Sequence, residues 1–424
     1  MTDHCQPRFR GINIRTELNL TQVDLGGVMR RRTTRALIAA FAATFALMAN
    51  ACGTGSPSAG DDKVIKIGAW FPLTGPLASF GIPERAGADA YFKSVNARGG
   101  INGRTIDWLV KDNANDPQQT VQIARRLVDQ DGVVAIVATN GTSQTQATFP
   151  FVLEQSKVPV LNTLGGDASW YEPARDGLFG LQTLYEDQAA ALGQWVVQDG
   201  AKKVVVVHSD PAAFVNVGKE IEPAAHKTDP SVQVKRLTVK YQTTDYSPVI
   251  SKVRAEKPDA VVLILTAAET ASYLKEARLQ RLTAPVYGYA PVAAQATLTL
   301  AGKAAEGVKA LQLVKSPHDD DPAIKEFRAA MAKYEPGQPA DFITLWGWEA
   351  AKAFVEIAKT IDGPVTSESL TRAYENARGV DTGVGPVLDF GPGRHLGTRD
   401  LQKVVVRNGR WESQGDFFTP PTRD

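Results

Sequence analysis

The chain has 424 residues, with 47 Lys+Arg against 46 Asp+Glu, 43% apolar residues and two cysteines. Its length suits about two to three globular domains, and its balance excludes a disordered, collagen-like or disulfide-stapled protein. A formal charge of +1 provides no basic excess of the kind a nucleic-acid partner needs.

The first predicted element is a targeting segment. From Met29 the chain reads MRRRTTRALIAAFAATFALMANAC, a positive cluster between Arg30 and Arg35, an apolar run from Ala36 to Met48, then small residues before Cys52. A charged n-region, a short apolar h-region and a small-residue cleavage site predict a secretory signal peptide over 29–51. The apolar run falls short of the roughly 20 residues that span a bilayer. The order Ala49-Asn50-Ala51-Cys52 resembles a bacterial lipobox, so Cys52 is expected to carry lipid, with 52–63 as a flexible tether. Residues 1–28 lack signal character, and the start is expected at Met29. Cys5 then drops out, and the mature domain has no cysteine for a disulfide.

From Val64 onward, short apolar strands alternate with helical stretches, the pattern of an α/β protein with mainly parallel sheets. The predicted strands are VIKIGAW (64–70), TIDWLVK (105–111), VVAIVAT (133–139), VPVLNT (158–163), KKVVVVHS (202–209), VQVKRLTV (232–239) and DAVVLILT (259–266). The runs at 133, 204 and 260 are continuously apolar, as expected of strands covered on both faces. Val121, Ala124, Leu127 and Val128 mark one helical stripe, and 267–278 and 341–358 read as helices. Trp346, Trp348, Ala350 and Phe354 are expected to pack the last of these into the core. Helices fill 321–376, and a final strand pair is expected near Val387 and Val404. No Pro- or Ser-rich linker divides the strand groups. A chain that leaves one lobe, builds a second and returns explains this, and places a ligand crevice where strand C-terminal ends converge.

The segments PLTGPLASFG (72–81), VNARGGINGRTIDWLVKDNANDPQQTVQIARRLV (95–128) and VVAIVATNGTSQTQA (133–147) carry a resemblance. With VPVLNT, KKVVVVHSD, KPDAVVLIL and GVGPVLDF, they resemble the extracytoplasmic binding proteins for leucine, isoleucine and valine. The likeness spans the mature chain. It implies the type I periplasmic-binding fold: two Rossmann-like lobes with mainly parallel sheets, joined by a three-segment hinge. The implied lobes are 64–182 plus 314–400 and 183–313 plus 401–424. The implied function is capture of a small molecule by lobe closure and delivery to the permease subunits of an ABC importer, with no enzyme chemistry and no cofactor. A monomer held at the membrane by its lipid is expected, as is no nucleic-acid partner. A ligand-sensing receptor subunit with the same fold is the alternative.

The resemblance also implies a pocket. The ligand carboxylate should meet the loop Thr139-Asn140-Gly141-Thr142-Ser143, with Thr142 at the family's Ser position, although Thr142 also reads as a helix N-cap. A second loop brings Leu164, Gly165 and Gly166, with Gly166 where a Thr would stand. Asp167 then either takes over an ammonium or hydroxyl contact or, more simply, caps the next turn. The family's carboxylate for the ligand ammonium aligns with Ala290, between Tyr289 and Pro291, which leaves Glu269 as the one substitute. A buried ammonium without a counter-charge is strongly disfavoured, so the cleft is expected to suit an apolar or aromatic carboxylate better than leucine. Phe80 and Phe214 are expected to line the cleft, with Thr266 in place of a third aromatic. Trp70 and Trp170 are further wall candidates.

Other chemistry has little support. The five histidines are scattered without metal-ligand spacing, and no phosphate loop or GxSxG elbow occurs. Ser272 and Lys275 match SxxK without its companion motifs and read as helix surface. Asp319 to Asp321 read as a solvated loop and helix start.

Overall fold

The structure is a computed structural model, described here for residues 63–422. The segment expected to be a signal peptide and Cys52, expected to carry lipid, lie outside the described residues, as does nearly all of the expected tether.

The first sheet holds β1 (Val64–Phe71), β2 (Thr105–Asp112), β3 (Ala135–Val137), β4 (Val160–Leu161) and β5 (Leu178–Phe179), in the order β2-β1-β3-β4-β5 and all parallel. The second holds β6 (Lys203–Ser209), β7 (Gln233–Val239), β8 (Ala260–Ile264), β9 (Val286–Gly288), β10 (Lys309–Gln312), β11 (Gln402–Arg407) and β12 (Arg410–Ser413). Its order is β12-β11-β10-β9-β8-β6-β7, parallel except that β11 runs against both β10 and β12. Both sheets therefore follow the predicted α/β pattern. Val204 to Val207 in central β6 are fully buried, as a strand covered on both faces requires. Edge strand β7 instead exposes Lys235 and Arg236, charges that discourage edge-to-edge pairing.

The expected strand near Val387 is not one. Val387 is 52% exposed, while the neighbouring Leu388 makes only an isolated bridge to Val380. β11 pairs instead with β10 and with β12, the latter reached through a tight turn at Asn408-Gly409, where both residues have positive φ.

Among the described residues eleven α-helices connect the strands: α1 (Ala78–Ala97), α2 (Pro117–Arg125), α3 (Thr142–Gln146), α4 (Tyr185–Gln198), α5 (Ala212–Thr228), α6 (Ser247–Glu256), α7 (Ala267–Leu279), α8 (Gln295–Ala301), α9 (Pro322–Tyr334), α10 (Phe342–Ala358) and α11 (Ser367–Asn376). The stripe from Val121 to Val128 runs through α2 into one π-helical turn, and Leu127 packs under β1 against Gly68. Helix α10 is capped by Asp341, which accepts from the amides of Ile343 and Thr344 at 3.0 and 2.9 Å. Trp346, Trp348, Ala350 and Phe354 are all buried on it, as expected.

Helices α1 and α10 approach until backbone meets backbone. A Cβ on Gly87 would stand 1.7 Å from the Thr344 carbonyl oxygen, and one on Gly347 would stand 2.0 Å from that of Glu84. Helices α9 and α10 thus pack beside the first sheet although they lie in sequence between β10 and β11 of the second. The chain passes between the sheets three times: after β5, after β10 and before β11. The first and third passages run side by side, with Gly180 donating to His395 O at 2.9 Å and Thr183 Oγ1 to Asp400 O at 2.8 Å.

Candidate functional site

Strand C-terminal ends of both sheets converge on a cavity of about 420 Å3. Phe80, one turn into α1, enters from the first-sheet side. Asn140, Gly141, Thr142 and Ser143 come from the loop after β3, and Leu164 and Asp167 from the loop after β4. The second-sheet side supplies Phe214 at the start of α5, Tyr241 after β7, Thr266 after β8, and Tyr289 to Pro291 after β9. Tyr185 and Gln182 reach it from the first passage between the sheets, and Phe342, Ile343 and Trp346 from the start of α10.

Eight of the ten residues expected to bind ligand share this lining: Phe80, Asn140, Thr142, Ser143, Leu164, Phe214, Thr266 and Ala290. Gly165 and Gly166 do not, and their geometry gives the reason. A Cβ on Gly165 would stand 2.7 Å from Cη2 of Trp170, and one on Gly166 would stand 2.6 Å from Nε2 of Gln182. They are glycines so that the loop can seat against its supports. Trp70 and Trp170 are not wall residues either. Both are fully buried behind the cavity, Trp70 donating to Thr145 Oγ1 at 3.1 Å and Trp170 packed edge-on to Phe149.

Helix α3 begins at Thr142, but its N-cap is Gly141 with φ near 112°, so Thr142 does not cap it. Asp167 does cap a short turn, accepting from the Ser169 amide at 2.9 Å. Glu269 is fully engaged elsewhere. Its two oxygens accept from Thr266 N and Oγ1, Ser209 Oγ and Gln242 N at 2.7–3.0 Å, it is 3% exposed, and it is absent from the lining. It cannot stand in as the ammonium anchor. The same bonds occupy the Thr266 hydroxyl. The Ala290 amide donates to Gln188 Oε1 at 3.0 Å, and its neighbours in sequence include no acid between Glu276 and Glu306.

The sequence reading missed Tyr185, Tyr241, Tyr289 and Gln182 as wall residues, and treated Trp346 as core alone. Trp346 is only 2% exposed yet lines the cavity, and its indole N–H has no hydrogen-bond partner among the described residues. The rings of Tyr185 and Tyr289 sit 6.1 Å apart. Burial raises the pKa of both phenols, which keeps them neutral. Among the described residues the lining holds one charged side chain, Asp167, and no lysine or arginine. The cavity is therefore an apolar and aromatic chamber with amide and hydroxyl groups, able to hold an organic solute by burial and hydrogen bonds. Among the described residues no group of three or more His, Cys, Asp and Glu could hold a metal ion, and no helix is long and apolar enough to cross a membrane.

Such a crevice between two mainly parallel sheets, entered from loops of both, is that of a two-sheet binding protein. The family model described as "Periplasmic binding protein" matches residues 64–410, and the chain belongs to that family. It is 28% identical over 280 residues to the "Amino acid binding protein" of Pseudomonas aeruginosa, an alignment covering 64% of this chain and 72% of that one. Among solved structures, a "possible leucine/isoleucine/valine-binding protein" from Rhodopirellula baltica superposes with a TM-score of 0.77 at 22% identity, covering 84% of this chain and 97% of that one. A fatty acid ABC transporter substrate-binding protein from Thermomonospora curvata does so with a TM-score of 0.76 at 24% identity, covering 84% and 92%.

Proposed function

We propose that this protein is the extracytoplasmic solute-binding lipoprotein of an ABC importer, and that its ligand is a small apolar or aromatic carboxylate without an ammonium group. One observation carries the ligand class: the aligned anchor position is Ala290, and Glu269 is spent on Thr266, Ser209 and Gln242. The lobes, 64–182 plus 314–400 and 183–313 plus 401–424, close over the ligand, which Phe80, Asn140, Thr142, Ser143 and Leu164 meet from one side and Phe214, Thr266 and Ala290 from the other. A ligand that touches both lobes only when they are closed shifts the population to the closed form. The relatives named for amino acids and the structural neighbour named for fatty acids bracket this class of solute. Cys52 anchors the protein to the membrane, and the closed form hands its ligand to the permease.

A thermal-shift panel tests the reading. Leucine, isoleucine and valine are compared with 4-methylpentanoate, hexanoate and phenylacetate. Ligand at about 100 times its Kd adds roughly 2.7 kcal/mol of apparent stability. Stabilisation by the acids lacking the amino group is expected. Stabilisation by the amino acids alone would contradict it.

A further inference from the structure

One buried group beside the cavity is not accounted for by capping, ion pairing or packing. Glu84 lies on α1 one turn beyond Phe80, on the face that Phe80 presents to the cavity. It is fully buried. Asn140, which lines the cavity, donates through Nδ2 to Glu84 Oε2 at 2.6 Å, while Oε1 has no partner among the described residues. The backbone here has no freedom to swing, because Gly347 of α10 is pressed against the Glu84 carbonyl, with Trp346 beside it in the cavity wall.

We propose that Glu84 is a positioning residue for the ligand site, fixing the Asn140 amide so that its remaining N–H and its carbonyl are held ready for the ligand's polar head. The proposal rests on the carboxylate reading above and deepens it. Burial pushes the Glu84 carboxyl well above the usual carboxylate range, against the opposing hydrogen bond from Asn140. Protonated, the carboxyl offers a carbonyl oxygen to Asn140 and adds no negative charge behind the loop. An ionised glutamate there would repel a ligand carboxylate and favour an ammonium. Glu84 thus acts on the ligand's polar head through Asn140.

The test uses 4-methylpentanoate and L-leucine as probes, with Glu84→Gln and Glu84→Leu. Gln presents the same acceptor and donor pair as a protonated carboxyl, and Leu presents neither. The side-chain amide of Asn140 is followed by 15N NMR, assigned by its loss in Asn140→Asp, with circular dichroism confirming that each variant is folded. The expected result is a Kd for 4-methylpentanoate within threefold of wild type in Glu84→Gln and at least tenfold weaker in Glu84→Leu. The Asn140 amide protons should exchange slowly in wild type and Glu84→Gln and rapidly in Glu84→Leu. Unchanged binding in Glu84→Leu would overturn the proposal. So would tighter leucine binding by wild type that Glu84→Gln abolishes, since Glu84 would then act as a charge. If wild type binds neither probe, the ligand reading fails by itself, and the Asn140 amide decides the matter. Slow exchange in wild type and Glu84→Gln that Glu84→Leu loses sustains the positioning role, and equal exchange in all three removes it.

Discussion

Three acids near or behind the cavity show how environment assigns a carboxylate its work. Glu269 meets four donors and serves as structure, Asp167 caps a turn at the rim, and Glu84 is buried with a single donor. A fourth, Glu349 on α10, lies farther along the helix, 1% exposed and accepting, among the described residues, a long hydrogen bond from Thr382 Oγ1 at 3.3 Å. Burial pushes its carboxyl up to about 8, against the opposing bond from Thr382. Its unfolded counterpart ionises near pH 4.5, so between the two values the native state holds the extra proton. Stability therefore falls as pH rises from about 4.5 to about 8 and levels off above that. Glu349→Gln should remove this component and raise the melting temperature at pH 8.5 by several degrees while changing it little at pH 4.5. Melting curves across that range check it, and equal slopes in both proteins would contradict it.

At the scale of elements, the strands of five or more residues were legible because their apolar runs were long enough to show a period. That covers β1, β2, β6, β7 and β8, whose bounds fall within two residues of expectation, and β11, expected near Val404 without bounds. The two-residue strand β5 carries no period and was invisible. Val387 sits in a run that looks like a strand, but Gly383, Gly385 and Pro386 shape a loop there. The aromatic walls were harder to read, since burial looks the same in a sequence whether a ring faces core or cavity. Trp346 belongs to both, packed in the core as expected and also lining the cavity, whereas Trp70 lies wholly in the core. Nor could the sequence show that α1 and α10, some 250 residues apart, meet through Gly87 and Gly347. That contact predicts that Gly87→Ala forces the helices apart and costs about 1–3 kcal/mol or more, whereas Gly337→Ala, in open space, costs far less. Chemical denaturation of both variants tests the pair, and equal losses would refute the close contact.

The whole molecule depends on how three passages of chain join two sheets. Arg399, in the third passage, pairs in bidentate fashion with the fully buried Asp187 at the start of α4, with N–O distances of 2.7 and 3.0 Å. This pair ties the third passage to the element that follows the first. Removing the guanidinium leaves a buried carboxylate without its bidentate partner, a loss of about 3–5 kcal/mol. Arg399→Met should show that loss, and Arg399→Met combined with Asp187→Leu should recover most of it. A double variant as unstable as the sum of the singles would mean that the pair itself is not what the passages rely on.

The cleft those passages frame is the point on which the function turns. Its wall has aromatic rings, amides and hydroxyls, one rim carboxylate at Asp167, and no carboxylate at the Ala290 position. The most direct measurement is a pair of isothermal titrations at pH 7.4, 4-methylpentanoate against L-leucine, two solutes that differ only in the α-amino group. The account predicts at least tenfold tighter binding of 4-methylpentanoate. Tighter binding of leucine would show that the cleft holds an ammonium after all, and would contradict the account at its centre.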